Sequence, residues 1–345
     1  MVPVVVGTNT HSRSCVRVSA PARLHLGFLD LNGNAGRKFG SIGLAINSHF
    51  TTLTAQKESS ISVVGPVASD ALCTRAESIV QAFYQTLGSA ISAKDRGVNI
   101  TLEQVIPEHA GFGSGTQLNL AIGTALCKLH NIPATTPEIA AQLGRGARSG
   151  IGISTFDLGG FIIDGGLKPN TTVPPLLAHH AFPDDWRIVL IMDSHHQGVH
   201  GQQEKQAFTA LPEFPQHRAQ AICHLTLMQL LPALVEQDID QFGDAITQIQ
   251  SLIGDHFAPA QGGRYTSPLV AQLLAHAQQL GHKGIAQSSW GPTGCVFVEG
   301  EQQAIDLITE LNNYANSLSS SQQRPTLLLT QANESGAKTT VSAVY

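Results

Sequence analysis

Residues 97–132, GVNITLEQVIPEHAGFGSGTQLNLAIGTALCKLHNI, pass from an alternating segment through a glycine–serine loop into an apolar one. The alternation predicts a strand over 97–111. Leu118, Ile122, Ala125, Leu126 and Leu129 fall at helical spacing over 116–132, with Pro133 just past the end. A helix that starts straight out of a glycine loop presents its first N–H groups and the positive end of its dipole with no bulky side chain over them. Gly111, Gly113 and Gly115 can take positive φ and let an anion come close to the backbone. Ser114 and Thr116 add hydroxyls for phosphate oxygens or a bound Mg²⁺, and Gln117 follows in the same turn. Spacing alone leaves a plain strand-to-helix connection equally open. No G-x-x-x-x-G-K-[ST] occurs, and the G-x-G lacks the dinucleotide pattern, so neither a Walker loop nor a Rossmann site is expected.

The rest of the chain suits a globular enzyme of two α+β layers. Its 345 residues are 42% apolar and 13% charged, and the formal net charge of -5 argues against a nucleic-acid surface. A small polyanion would have to be held by a few local arginines, lysines and backbone N–H groups. Cys15, Cys73, Cys127, Cys223 and Cys295 are widely spaced with no C-x-x-C, which predicts reduced thiols in a cytoplasmic protein and no cysteine-rich metal site. The N-terminus lacks a basic start and a cleavage site, and no apolar run reaches about 18 residues, so no signal peptide or membrane span is expected.

Strands are expected in 15–33 and 41–56 and a helix over 70–88 closed by Gly88. A second glycine-rich stretch, 144–166, holds eight glycines in 23 residues and reads as loop with a strand at Phe161 to Asp164. A proline-rich connection follows over 171–185, then a buried strand at 186–193. Helices over 217–253 should break at Pro232, and further helices cover 267–281 and 301–318 around a loop and strand in 284–300. A last strand is expected at 325–333, with mobile residues after it.

PEHAGFGSGTQ resembles the P-x-x-x-G-L-G-S-S-A loop of the GHMP kinase superfamily, with Pro107, Gly111, Gly113 and Ser114 in register. PARLHLGFLD (21–30) and GIAQSSWGPTGCVFV (284–298) match two further superfamily blocks in order. More closely, RLHLGFLDLNG, GFGSGTQLNLAIG, GRGARSGIGISTFDLGGFIIDGG and QSSWGPT together resemble the β-ribofuranosylaminobenzene 5'-phosphate synthases, a non-kinase branch. The resemblance implies an α+β, GHMP-kinase-like two-domain fold. Residues 15–170 would form a ribosomal S5 domain 2-like N-terminal domain with the phosphate loop, and 185–335 a ferredoxin-like C-terminal domain.

It also implies the reaction. The family joins 5-phosphoribosyl 1-diphosphate to 4-aminobenzoate or 4-hydroxybenzoate with loss of pyrophosphate and CO₂, on the route to methanopterin-type C1 carriers, with Mg²⁺. Small-molecule substrates, no nucleic acid, no membrane and a homodimer are expected. The departures from the kinase pattern are informative. Kinases of the superfamily that use an acid–base aspartate carry it in S-G-x-D-x₆-G-G, and here Ser149–Gly160 has Gly152 at that position. Glycine accepts no proton. Gly115 and Thr116 replace the loop's second serine and its alanine.

On this reading Gly111, Gly113, Ser114, Gly115, Thr116, Gln117 and Arg145 bind pyrophosphate, with Ser114 and Thr116 as the Mg²⁺ ligands. Ser288 and Ser289, or the run 144–150, take the second phosphate. Arg23, His25 and Arg148 face the substrate, Asp30 stabilises the cationic ribose carbon, and Trp290 stacks on the ring or fills the core. Asp157 and Asp164 are read as loop braces. His195, His196, His200 and Glu204 read as a lid hinged at Gly198 and Gly201 rather than a metal cluster. The alternatives are an ATP-dependent small-molecule kinase and a non-catalytic binding protein on the same fold. An ordinary phosphoribosyltransferase is disfavoured, because the one acidic pair, Asp184–Asp185, precedes Trp186 rather than a small-residue loop.

Overall fold

The computed structural model describes residues 13–196, 198, 210–318 and 324–344. Its backbone is a long hairpin of β1 (Arg13–Asp30) and β2 (Phe39–Lys57). In β1 the alternation is strict: Val16, Val18, Ala20, Ala22, Leu24 and Leu26 are all fully buried. The odd positions Arg23 and His25 therefore share the other face. Strands β3 (Ile61–Val64), β4 (Val98–Gln104), β5 (Phe161–Asp164), β6 (Leu176–His180) and β11 (Lys338–Val344) extend this sheet in the order β11-β1-β2-β4-β3, with β5 joining β2 to β6. All its pairings are antiparallel except β3 with β4.

Four helices attend the first sheet: α1 (Asp70–Gln85), α2 (Ser114–Leu129), α3 (Thr136–Gln142) and α4 (Ile151–Leu158). Leu118, Ile122, Ala125, Leu126 and Leu129 of α2 are buried against β1, β2 and α1, as their spacing requires.

The second sheet runs β10 (Thr326–Thr330), β7 (Trp186–Met192), β9 (Thr293–Glu299), β8 (Ile285–Gln287). Both faces are covered, so β7 reads as an unbroken apolar run from Ile188 to Met192. Val189 and Ile191 pack with α8 (Pro268–Gln279) and α9 (Glu301–Ser317). Ile188 and Leu190 join Phe242, Ile246 and Ile249 of α7 (Ile239–Gln261), in the core that also takes in Leu24, Leu26 and Ile42 of the first sheet. This shared core fixes the two sheets against each other. No helix among the described residues is long and apolar enough to cross a membrane, and all five cysteines are unbridged.

Four elements differ from the sequence reading. Helix α4 lies inside the glycine-rich stretch expected to be loop. Its first turn has no side-chain cap, and it owes its existence to buried Ile151, Ile153 and Phe156, with Ile151 seated on β2 where Gly43 has no side chain. The connection 171–185 contributes the edge strand β6. Pro232 does not break the helix: it falls at the start of α6 (Leu231–Glu236), and the widened π turn just before it accommodates the proline ring and its missing N–H. That helix follows α5 (Gln216–Leu225) through a π turn, and the break comes at Gln237, in the left-handed region with φ of 58°. The C-terminal residues, expected to be mobile and beyond the 335 limit, form β11 (Lys338–Val344) and pair with the outer edge of β1.

Candidate active site

Helix α2 opens on Gly113, left-handed at φ 78°, and no side chain caps it. Residues before it form the loop, with His109 at φ 58° and Gly111 at φ 89°. The Gly111 carbonyl is pinned from two sides, by Arg23 Nη1 at 2.5 Å and Ser288 Oγ at 2.8 Å. With that carbonyl tied inward, the open side of the loop is left to N–H groups and hydroxyls.

The loop 288–291 of the second sheet locks onto this arrangement. Ser288 Oγ accepts the His25 N–H at 3.0 Å, and the Ser289 N–H donates to the His25 carbonyl at 2.9 Å. A Cβ on Gly111 would collide with the Ser288 carbonyl, and one on Gly291 with the backbone of Ala110 and Gly111. Ser288 is wholly buried and its hydroxyl is engaged on both sides, so it fastens the two loops rather than binding an anion. Of the expected serine pair, only Ser289 reaches the cavity.

That cavity holds about 280 Å³ and is walled by Arg23, His25, Phe28, Thr116, the 144–149 loop, Gly152 and Ser289. It brings together Arg23, Arg145, Arg148, His25 and Thr116 from the sequence reading. Among the described residues no carboxylate lines it. Arg145 lies beside Gly115, and burial together with the charge of Arg75 holds its guanidinium below the usual arginine value. Arg75 itself was not picked out from sequence. It comes from α1, reaches within 2.5 Å of where a Gly115 Cβ would stand, and is paired with Glu108. On a helix read by its apolar stripe, an arginine on the other face carries no signal of what it approaches.

The expected carboxylates sit elsewhere. Asp30 ends β1, where its Oδ1 accepts the N–H groups of Asn32 at 2.7 Å and Gly33 at 2.9 Å, a turn brace outside the cavity wall. Asp157 accepts from Thr136 and ties α4 to α3. Asp164, wholly buried, accepts from Gly150 N–H at 2.8 Å, Gly166 N–H at 2.9 Å and Ser149 Oγ at 3.4 Å, and so anchors the arginine loop to β5. Burial pushes its carboxyl up to about 6 against the pull of those bonds. A raised folded value contributes stability that is complete below the unfolded value and lost as pH rises through about 6. Asp164→Asn should therefore fall short of the native protein more at pH 4 than at pH 7, the gap changing by up to about 3 kcal/mol, as urea unfolding at the two pH values would read.

Gly152, where superfamily kinases place the base, is closed. A Cβ there would lie 2.9 Å from Thr116 Cγ2, and the Gly152 carbonyl accepts from Gln117 Nε2 at 2.8 Å. Gln117 thus braces α4 rather than facing the anion. Ser114 stands in the half-buried first turn of α2 with Gly115.

A second, smaller cavity of about 30 Å³ shares His25, Phe28 and Ser289 with the first. Its other walls are Trp290, Phe257, Gln250, Gln261, Gln287 and Arg264, with Gly27, Ile253 and Gly254. Trp290 packs on Phe257 with ring centroids 4.6 Å apart, so it is core and cavity wall at once. Of the histidine-rich segment, His200, Gly201 and Glu204 lie outside the described residues. Within them, Asp193 accepts the His195 N–H at 3.0 Å, and no cluster of three metal-binding side chains occurs among the described residues.

Comparison with known proteins agrees with this geometry. Family models described as GHMP kinases N terminal domain and GHMP kinases C terminal match residues 75–160 and 230–317. A β-ribofuranosylphenol 5'-phosphate synthase of Methanocaldococcus jannaschii is 30% identical, the alignment covering 93% of this chain and 99% of that one. One of Archaeoglobus fulgidus is 34% identical over 84% of this chain and 90% of its own. The solved structure of Lactococcus lactis galactokinase complexed with galactose superposes with a TM-score of 0.68 at 15% identity, over 96% of each chain, which shows the shared fold. The α+β, two-domain GHMP-kinase-like architecture expected from the sequence is the one found.

Proposed function

The chain belongs to the β-ribofuranosylphenol 5'-phosphate synthase family, and on that premise we propose that it condenses 5-phosphoribosyl 1-diphosphate with 4-hydroxybenzoate, or 4-aminobenzoate, releasing pyrophosphate and CO₂. The observation that carries the reading is the cavity at the start of α2, with three arginines and no carboxylate among the described residues of its wall. Such a wall suits a substrate pair bearing a diphosphate, a phosphate and a benzoate carboxylate.

The diphosphate lies on the glycine loop and the uncapped turn of α2, with Arg145 and Arg75 beside it. As the C1–O bond breaks, its electron pair passes to the diphosphate, and these donors meet the growing charge. The hydroxyls of Ser114 and Thr116 suit a Mg²⁺ carried in on the diphosphate, since phosphate and hydroxyl oxygens are hard donors and the cavity wall has no carboxylate to hold the ion alone. A Mg²⁺ held there would offset charge on the leaving group. Arg23 and Arg148 face the acceptor carboxylate and the 5-phosphate. With Asp30 outside the wall, the positive charge on ribose C1 is offset by the two substrates' own anionic groups. The ring carbon bonds to C1, the bond to the carboxylate breaks, and its electron pair returns to the ring.

The kinase alternative is weakened by one contact. Thr116 fills the space into which an acid at position 152 would project. The decisive experiment measures ¹⁴CO₂ from carboxyl-labelled 4-hydroxybenzoate and 4-aminobenzoate, with and without the ribosyl donor and Mg²⁺. Donor-dependent release is expected and ranks the two acids. No release from folded protein rejects the reading.

A further inference from the structure

We infer that His25 Nε2 takes the proton of the acceptor's 4-hydroxyl group while the ring attacks ribose C1, an assignment that rests on the reaction proposed above. His25 is only 3% exposed, and its Nε2 is buried with no hydrogen-bond partner among the described residues. A buried polar nitrogen left open costs free energy unless a ligand completes it. The ring stands edge-on to Phe28, centroids 4.7 Å apart, at the wall the two cavities share. Its own main-chain carbonyl pulls weakly toward the charged ring. In the neutral tautomer protonated on Nδ1, the Nε2 lone pair is the open side.

Elimination gives the same answer. Apart from arginines, His25 is the one titratable side chain among the described residues of either wall. Arg23 faces it from β1, Arg148 from the 144–150 loop, and Arg264, paired with Asp255 of α7, lines the smaller cavity; no carboxylate among the described residues lines either wall. Burial first, then Arg23 and Arg148, hold the imidazole neutral, down to about 3, so it is in its proton-accepting form at every physiological pH. Bound diphosphate, phosphate and carboxylate offset those arginines and make the imidazole more basic when the substrates are present. The 30 Å³ cavity is too small for a ring but has room for a hydroxyl. The ring therefore lies in the larger cavity against Phe28, with its 4-hydroxyl pointing into the shared wall.

The step balances. The O–H bond breaks toward Nε2, the oxygen's electrons move through the ring to the carbon bearing the carboxylate, and that carbon bonds to C1 as the diphosphate leaves. The product of this step is a dienone carboxylate. Loss of CO₂ returns a pair to the ring, and the oxygen recovers its proton from His25.

The test is His25→Gln, which keeps a hydrogen-bonding amide but cannot hold the proton. Its kcat with 4-hydroxybenzoate should fall roughly 10²- to 10⁴-fold, while inorganic pyrophosphate still binds. The loss should shrink with 3-fluoro-4-hydroxybenzoate, whose hydroxyl ionises more readily. An equal loss with both acids would mean a packing role and overturn the assignment, whereas a native enzyme that releases no CO₂ from either acid rejects the reaction itself. Should the variant not fold, ¹⁵N-histidine spectra of the native protein decide. The His25 Nε2 resonance should move on adding 4-hydroxybenzoate with pyrophosphate and stay still with 4-methoxybenzoate; no difference between the two overturns the proposal.

Discussion

Arg145→Ala should weaken binding of inorganic pyrophosphate by roughly 10²-fold or more, while the unliganded protein loses no stability. The two halves of that result come from one environment. Arg145 is held below its usual pKa by burial and by the like charge of Arg75, and its Nε is buried without a partner. In the empty protein it is a desolvated cation beside another cation, so removing it relieves repulsion. With an anion present the same isolation makes it a strong ligand, and truncating one member of a buried charged contact typically costs about 2–5 kcal/mol. Arg75→Ala should cost less, because Arg75 is more exposed and already shared with Glu108. Calorimetric titration with pyrophosphate and thermal melts of the two variants would read both effects. A large fall in melting temperature for Arg145→Ala would mean that the guanidinium is a structural brace.

Gly111→Ala should be far worse than Gly144→Ala, although both glycines sit in the left-handed region, at φ 89° and 68°. A side chain in that region costs about 1–2 kcal/mol by itself. At Gly144 nothing lies within 4 Å of the new methyl, so backbone strain is the whole effect. At Gly111 the methyl would strike the Ser288 carbonyl, and neither loop can retreat, since Gly291 already brings the two backbones into contact. The additional cost should be about 1–3 kcal/mol, with pyrophosphate binding lost as well because the loop carries the anion donors. Urea unfolding of the two variants separates strain from collision. Equal losses would show that the loops are free to part.

The strand–loop–helix of 97–132 was legible because each of its parts is local: alternation, glycines, a helical stripe and a proline after it. The arginine loop was legible as an anion site because Arg145 and Arg148 are crowded among glycines. What composition could not disclose was long-range. Helix α4 exists because Ile151 finds Gly43, and Arg75 belongs to the site because α1 lies beside the start of α2. Ser288 shows the converse. It sits in a block that matches the family, yet its hydroxyl serves Gly111 and His25 from another sheet, a role that no spacing within QSSWGPT announces. Asp30 follows a related logic: a carboxylate two and three residues before free N–H groups is taken by its own turn first.

The contact between Thr116 and Gly152 also sets the order in which this sequence can change. An aspartate introduced at 152 meets the threonine methyl, and an alanine introduced at 116 leaves a gap beside a residue with nothing to fill it. Each single change toward the kinase pattern therefore costs packing, by crowding in one direction and by a gap in the other, so the two positions are coupled. The absent acid is more than a missing group. The neighbouring helix occupies the space it would need, and only a change at both positions opens it.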